Sequence, residues 1–191
     1  AFAPGGGAAV RSEFGIPADA PLVGIVGHLQ RWKGQLVVVE AVARARERYP
    51  ELHCLIVGGV HRLGEEYTDE LRARIAALGL ERNVILTGAR RDVAACMDAM
   101  DVVIHSSIRP EPFGRVLIEA MALGRPVIAP RLGGPREIVA DGETGVLVAP
   151  RDAEALAAAI ASLVGDRPRR LAMGHAARDR VDRVFDIRHH V

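Results

Sequence analysis

Short apolar runs recur along the chain and are separated by polar stretches with helical periodicity. Most of the runs are about four to seven residues long and rich in Val and Ile. They are LVGIVG, LHCLIVGG, NVILTG, DVVIHSS, PVIAP and TGVLVAP, beginning at Leu22, Leu52, Asn83, Asp101, Pro126 and Thr144. The runs are apolar throughout rather than alternating, which is typical of strands buried on both faces of a parallel sheet.

The stretches between the runs predict helices. The longer ones are GQLVVVEAVARARERYP from Gly34 and DELRARIAALGL from Asp69, and the shorter ones are RDVAACMDAM from Arg91 and RVLIEAMALG from Arg115. Two further amphipathic helices are predicted after the last run. Strand–helix alternation repeated in this way predicts an α/β fold, a Rossmann-like doubly wound parallel sheet of about six strands with right-handed crossovers.

Composition narrows the classes of function. The 191 residues are 49% hydrophobic and 26% charged, which suits one large globular domain or two small ones. A net charge of +1 and an aromatic content of 4% argue against nucleic acid or an anionic membrane as a partner. Cys54 and Cys96 each lie in an apolar run and are predicted to be reduced core thiols. No run approaches the ~18 residues that would span a bilayer, so a cytoplasmic setting is expected.

Ligands of open parallel sheets bind at the carboxyl ends of the strands, so the loops after the runs are the candidate site. Two familiar nucleotide motifs are absent there. The loop GIVGHLQRWKG has glycines at positions 24, 27 and 34, which is the wrong spacing for a dinucleotide fingerprint. Lys33 precedes its glycine and no Ser or Thr follows, so the loop is not a P-loop either.

The segment EPFGRVLIE brings two carboxylates to a loop and the start of a helix. Pro112 disfavours helical dihedrals at Glu111, so the helix is expected to begin near Gly114. Its first amides, from about Gly114 to Leu117, would lack intrahelical partners and would attract an anion. Glu119 follows one turn later, and a carboxylate accepts hydrogen bonds from adjacent hydroxyls. The pattern favours a ligand with both phosphates and sugar hydroxyls, the alternative being a turn acid and a solvated helix residue.

Phosphates also require cations. HLQRWKG supplies Arg31 and Lys33, with His28 as a further candidate, although a solvent-exposed basic loop is the alternative. Ser106 and Ser107 are expected to cap a turn, the alternative being donation to phosphate. Gly133 and Gly134 are expected to form a tight turn, and Glu137 to cap the helix that follows rather than bind ligand. The seven histidines have no metal-ligand spacing, and no metal is expected.

Four segments together resemble the carboxyl-terminal half of retaining glycosyltransferases of family 4, the group 1 glycosyltransferases, which have the GT-B fold. They are VGHLQRWKG, TGARRDV, HSSIRPEPFGRVLIEAMALGRPVIA and GGPREIVADGETGVLVAPRDAEALAAAI. The resemblance runs from about Phe2 to Leu163. It implies a nucleoside-diphosphate sugar donor as substrate, no metal, and retention of the anomeric configuration.

The resemblance also implies roles for individual residues. Lys33, assisted by Arg31, would contact the diphosphate, and Glu111 the transferred sugar. The remaining donor contacts would be made by Phe113 and Gly114 at the sugar, Val116 and Leu117 at the distal phosphate, Glu119 at the ribose, and Gly88, Ala89 and Arg90 against the base. The family usually has an arginine where this chain has His28, so either Arg31 or His28 would replace it.

A GT-B enzyme also has an amino-terminal acceptor-binding domain, which would precede this chain and would make any contact with the inner face of the membrane. Residues 1–20 are then expected to be a lead-in after the interdomain linker, 21–165 the donor-binding domain, and 166–191 a helix that packs on it or returns toward the missing domain. The alternatives are a stand-alone nucleotide-binding or regulatory module and a GT-B-type nucleotide-sugar epimerase fragment.

Overall fold

The computed structural model describes residues 5–60 and 65–185, which are arranged as a parallel sheet with helices on both faces. The sheet has six strands, each within one of the six apolar runs. They are β1 (Leu22–Val26), β2 (His53–Val57), β3 (Val84–Gly88), β4 (Val102–Ile104), β5 (Val127–Pro130) and β6 (Gly145–Val148). The predicted fold class is confirmed.

Eight helices cover this sheet in the described residues. They are α1 (Gly7–Glu13), α2 (Gln35–Arg46), α3 (Glu65–Ala77), α4 (Val93–Ala99), α5 (Arg115–Ala122), α6 (Pro135–Ile138), α7 (Ala153–Val164) and α8 (Arg167–Val184), with a 3-10 turn at Arg31–Lys33. The carboxylates of Asp152 and Asp166 accept hydrogen bonds of 2.8 and 2.9 Å from amides in the first turns of α7 and α8. These two aspartates therefore cap the starts of their helices.

The strand order is β3-β2-β1-β4-β5-β6 and every neighbouring pair is parallel. Val23 of β1 pairs with Cys54 of β2 on one side and with Val102 of β4 on the other. Strands β2 and β3 therefore lie on one side of β1, and β4, β5 and β6 lie on the other side. The reversal between β1 and β4 opens a crevice at the carboxyl ends of these two strands.

Each face of the sheet is buried under its own set of helices. Val23 and Ile25 belong to a core shared with α2, α3 and α7. Leu22 belongs to the other core, with α1, α4, α5, α6 and α8. Because alternate residues of one strand are buried on opposite faces, the strands are continuously apolar. Cys54 lies in the first core and Cys96 in the second, and both are buried free thiols, as predicted.

Helix α1 was not predicted, because GAAVRSE is short and only a few of its positions are apolar. Val10 and Ile16 are nevertheless buried in the second core, and α1 packs on α4. The guanidinium of Arg11 donates to the carbonyl of Ala99 at 2.9 Å and pairs with Asp101 at 3.1 Å. Residues 7–16 are therefore fixed to the sheet.

Helix α8 buries Ala177 and Val181 and packs on α5. The guanidinium of Arg180 donates to the carbonyl of Ile138 at 2.7 Å. The boundaries at residues 20 and 165 stay predictions. No helix among the described residues is both long and apolar enough to cross a bilayer.

Candidate functional site

A cleft of about 790 Å³ opens at the carboxyl ends of the strands, over the crevice between β1 and β4. Its walls come from the loops after β1, β2, β3 and β4 and from the first turn of α5. The lining includes Gly27, His28, Lys33, Gly58, Gly59, Ala89, Arg90, Arg91, His105, Ser106, Ser107, Glu111, Gly114, Arg115, Val116 and Glu119. The cleft lies at the carboxyl ends of the strands, which is where the candidate site is expected from the sequence.

Lys33 is placed by the 3-10 turn after β1 and by its contact with the loop after β4. The hydroxyl of Ser106 donates to the carbonyl of Lys33 at 2.8 Å, and the carbonyl oxygen of Gly34 lies 3.1 Å from the same hydroxyl. Gly34 has φ 74°, and a Cβ on it would lie 2.1 Å from the carbonyl oxygen of Ser106. No other residue fits at this approach. The Lys33 ammonium then lies 4.2 Å from the centroid of the Trp32 ring and forms an ion pair with Glu111.

Glu111 is the most fully engaged carboxylate of the cleft. One of its oxygens contacts Lys33 Nζ and the other contacts Nε2 of His105, while the side chain is only 13% exposed. The backbone of its loop is supported by the Gly-Gly pair, because the amide of Gly134 donates to the carbonyl of Glu111 at 2.9 Å. The loop Pro110–Gly114 and the glycines at 133 and 134 therefore form one packed unit.

His105 is a buried residue that sequence reasoning missed. It directly follows β4, and its amide donates to the carbonyl of Ile128 at 2.8 Å, so its backbone continues the sheet. The pKa of its imidazole is lowered to about 4, chiefly by burial: the carboxylate of Glu111 opposes this shift and the ammonium of Lys33 adds to it. The ring is therefore neutral near pH 7.

The first turn of α5 offers free amides to the cleft, but fewer than predicted. Among the described residues, no acceptor is bonded to the amides of Arg115 and Val116. The amide of Leu117, by contrast, donates to the carbonyl of Gly114 at 2.9 Å, and the Leu117 side chain is fully buried. This 3-10-like bond closes the first turn of the helix, so the amides of Arg115 and Val116 are the ones left for an anion.

Glu119 lies inside the cleft, one turn after the free amides. Its side chain is 17% exposed and pairs with the exposed guanidinium of Arg115 at 3.1 Å. Burial raises the pKa of Glu119, and Arg115 lowers it in part. The carboxylate is thus a partly desolvated acceptor with a single exposed partner.

The loop after β3 forms the wall opposite α5. Ala89 and Arg90 line the cleft, whereas Gly88 does not. The guanidinium of Arg90 donates to Glu13 and to Asp92, each at 2.8 Å, so its charge is balanced by two carboxylates. Gly88 instead accepts a 3.0 Å hydrogen bond from the amide of Gly58 and turns the chain with φ 71°.

Three further residues considered from the sequence are not among the cleft residues. Arg31 points away from the cleft: it forms ion pairs with Glu66 and Glu70 of α3. Phe113 is 57% exposed and is not among the cleft residues. Glu137 does not cap a following helix, because it lies inside α6, whose N-cap Gly134 has no side-chain bond.

Arg91 and Arg115 are lining residues that were not singled out from the sequence, whereas His28, Ser106 and Ser107 were. Arg91 and Arg115 bring positive charge to the cleft, and His28 occupies the position that Arg31 was expected to share. Ser106 holds the loop after β4 through the carbonyls already described, and the amide of Ser107 donates to Nδ1 of His105 at 3.4 Å. The sequence feature that marks these lining residues is their position, directly after strand β1, β3 or β4 or at the start of α5.

A doubly wound sheet with a cleft at its switch point is the architecture of Rossmann-like α/β domains, which bind their ligands there. The chain belongs to the family described as glycosyl transferases group 1, and the model of that family matches residues 8–180. The D-inositol 3-phosphate glycosyltransferase of Corynebacterium urealyticum is 40% identical over 177 residues, which cover 88% of this chain and 42% of that protein. The chain thus spans about two fifths of the length of this curated relative.

Two solved structures share the fold of this chain, which covers half of one and nearly all of the other. Anabaena HepE in complex with UDP-glucose has a TM-score of 0.90 at 33% identity, covering 95% of this chain and 50% of that one. The C-terminal domain of a group 1 glycosyl transferase (LpcC) from Francisella tularensis has a TM-score of 0.88 at 26% identity, covering 97% and 96%. The resemblance to the carboxyl-terminal half of a GT-B enzyme is confirmed.

Proposed function

We propose that this chain is the donor-binding domain of a retaining glycosyltransferase and that its cleft holds a nucleoside-diphosphate sugar. The observation that carries the proposal is the meeting of three ligand-binding features in one cleft. Lys33, the free amides of Arg115 and Val116, and the carboxylates of Glu111 and Glu119 all line it. Cation and amides suit phosphate, while carboxylates repel phosphate and accept from hydroxyls.

The donor would bind across these features in a definite order. The diphosphate would lie between Lys33 and the start of α5, where the helix dipole adds roughly 0.3–1 kcal/mol. The ribose diol would donate to Glu119, and the transferred sugar would donate to Glu111. The base would lie against Ala89 and the chain at Arg90, whose own charge is already balanced. His28, rather than Arg31, would stand beside the diphosphate.

Support for a uridine nucleotide comes from HepE, which was solved in complex with UDP and with UDP-glucose. The proposal includes donor binding without a metal, because Lys33 and the α5 amides would supply the positive potential. The acceptor and its positioning residues would belong to a domain outside this chain. The curated relative is named for D-inositol 3-phosphate, so a transfer assay of the full-length enzyme should include polyol phosphates among its acceptors.

Calorimetric titration of the 191-residue chain with UDP, GDP, ADP and TDP, and with their glucose forms, tests the proposal. We expect weak binding of one diphosphate series, unchanged by EDTA, because a cleft with one open side leaves the charged contacts exposed to solvent. Absence of binding to every nucleotide would reject the proposal. Incubation of the best donor with a panel of acceptors should give no product, since positioning of the acceptor is a large part of catalysis. Efficient transfer by the chain alone would show that it holds an acceptor site.

A further inference from the structure

We propose that His105 is a positioning residue that holds the carboxylate of Glu111 in the orientation in which it receives the hydroxyls of the transferred sugar. The inference rests on the proposed function, since it assigns a support for one of the donor contacts. His105 would act through Glu111 and would not touch the ligand's reacting atoms.

The backbone of His105 is part of the sheet, whereas Glu111 lies on a loop. The amide of His105 bonds to β5 at 2.8 Å, and the imidazole side chain is only 5% exposed. Six residues later the chain has turned back, so that Glu111 Oε2 contacts His105 Nε2. A rigid, buried ring thus anchors a carboxylate whose own backbone belongs to a loop.

The hydrogen-bond partners of the ring select one tautomer. The amide of Ser107 lies 3.4 Å from Nδ1 and points its hydrogen at that atom, so Nδ1 is an acceptor. Nε2 then carries the hydrogen and donates it to Glu111. A neutral donor fixes the direction of the carboxylate while leaving its negative charge in place, as an acceptor of sugar hydroxyls requires.

The two contacts of Glu111 are not equivalent. Lys33 is 22% exposed on a long flexible side chain, and a diphosphate would draw its ammonium away from Oε1. His105 has no such freedom and would keep its bond to Oε2. Ligand binding would therefore release one carboxylate oxygen for the sugar while the other stays anchored.

The first experiment is nitrogen-15 NMR of the chain labelled at histidine, recorded from about pH 5 to pH 8. The signals of His105, assigned by comparison with His105→Gln, should be those of the neutral Nε2–H form over this range. Glu111→Ala should change them, because the acceptor of that hydrogen is lost. A charged ring at neutral pH, an Nδ1–H tautomer, or no response to Glu111→Ala would overturn the inference.

The second experiment separates the sugar from the nucleotide. His105→Leu removes the donor, and His105→Gln places an N–H near the position of Nε2. With UDP-glucose we expect roughly a tenfold loss of affinity for His105→Leu, the size of one hydrogen bond to a charged group, and recovery of most of it in His105→Gln. With UDP alone both variants should equal the parent chain.

Equal losses for UDP and UDP-glucose, or no loss for either, would contradict a positioning role. If the parent chain binds neither ligand, the proposed donor function fails, and the NMR experiment still decides whether His105 orients Glu111. If His105→Leu does not fold, the NMR experiment likewise decides whether His105 orients Glu111.

Discussion

The ammonium of Lys33 and the carboxylate of Glu111 are bound to each other although they are 78 residues apart in the chain. Each is proposed to serve a different part of the same ligand, Lys33 the diphosphate and Glu111 the sugar. A diphosphate must therefore compete with Glu111 for Lys33. The measured contribution of Lys33 to nucleotide affinity will be its phosphate contact less the ion pair that is given up.

Lys33→Ala should weaken binding of UDP by about 1.5–3 kcal/mol, toward the lower end because of that competition, and leave uridine nearly unchanged. Calorimetry with both ligands gives the comparison. Arg31→Ala is the matched control, since it removes a cation two residues away that pairs with Glu66 and Glu70 outside the cleft. Equal effects of the two substitutions, or equal losses for UDP and uridine, would show that Lys33 acts through folding or long-range charge.

Glu119→Ala should weaken ribonucleotides by about 1.5–3 kcal/mol and be nearly silent for 2′-deoxy and 3′-deoxy analogues. The reason is that a partly desolvated carboxylate one turn after the free amides has a ribose diol as its natural donor. Arg115→Ala measures separately the loss of the Arg115–Glu119 pair and of one cleft cation, and its effect should be the same for ribo and deoxy ligands. A uniform loss of affinity for ribo and deoxy ligands would show that Glu119 does not bind the ribose hydroxyls.

Gly133→Ala should disturb the Glu111 loop, whereas Gly142→Ala should not. Both glycines have left-handed backbones, with φ 63° and 81°, so the conformational cost of about 1–2 kcal/mol is common to the two variants. A Cβ on Gly133 would lie 2.7 Å from the carbonyl oxygen of Glu111, while nothing lies within 4 Å of one on Gly142.

Thermal melts and UDP-glucose titrations of both variants check this. We expect a further loss of about 1–3 kcal/mol of stability in Gly133→Ala and a specific weakening of the sugar contact. Identical behaviour of the two variants would mean that the Gly-Gly segment does not support Glu111.

The stability of the domain should depend on pH through His105. Its pKa is about 4 in the folded state, below the ordinary value of about 6.5, so the unfolded chain takes up the proton first. The contribution of His105 to the free energy of unfolding should therefore be fully present above about pH 6.5. It should be lost as the pH drops toward 4, by up to ~1.4 kcal/mol per pH unit. Urea unfolding of the parent chain and of His105→Gln, at several pH values, isolates this contribution. Parallel curves for the two proteins would contradict it.

The sheet could be predicted because both of its faces are buried, which leaves continuous apolar runs that no other arrangement explains. The start of α5 followed from Pro112 and Gly114, which restrict the backbone locally. Helix α1 could not be predicted in this way. Its stability comes from burial of Val10 and Ile16 against α4, a contact between residues almost ninety positions apart.

In the candidate site, the position of a residue after a strand could be predicted from the sequence, whereas the direction of its side chain could not. Arg31 and Lys33 are two residues apart in a 3-10 turn, so they point to different sides of it, and only one can face the cleft. His105 gave no periodic or motif signal, because its role depends on how the loop to Glu111 folds back. The amide of Leu117 depended on whether the first turn of α5 closed by an i−3 bond, which its residue types do not determine.

The pairing of Val23 with Val102 has a consequence for the order in which the protein matures. Lys33 follows β1 and Glu111 follows β4, so neither has its partner until the second half of the sheet has docked beside the first. A partly synthesised chain holding only β1, β2 and β3 has one wall of the cleft, and the long-range pairing that completes it is the slow kind. Only chains with the complete six-stranded sheet would then bind nucleotide, and a nucleotide would stabilise only those chains.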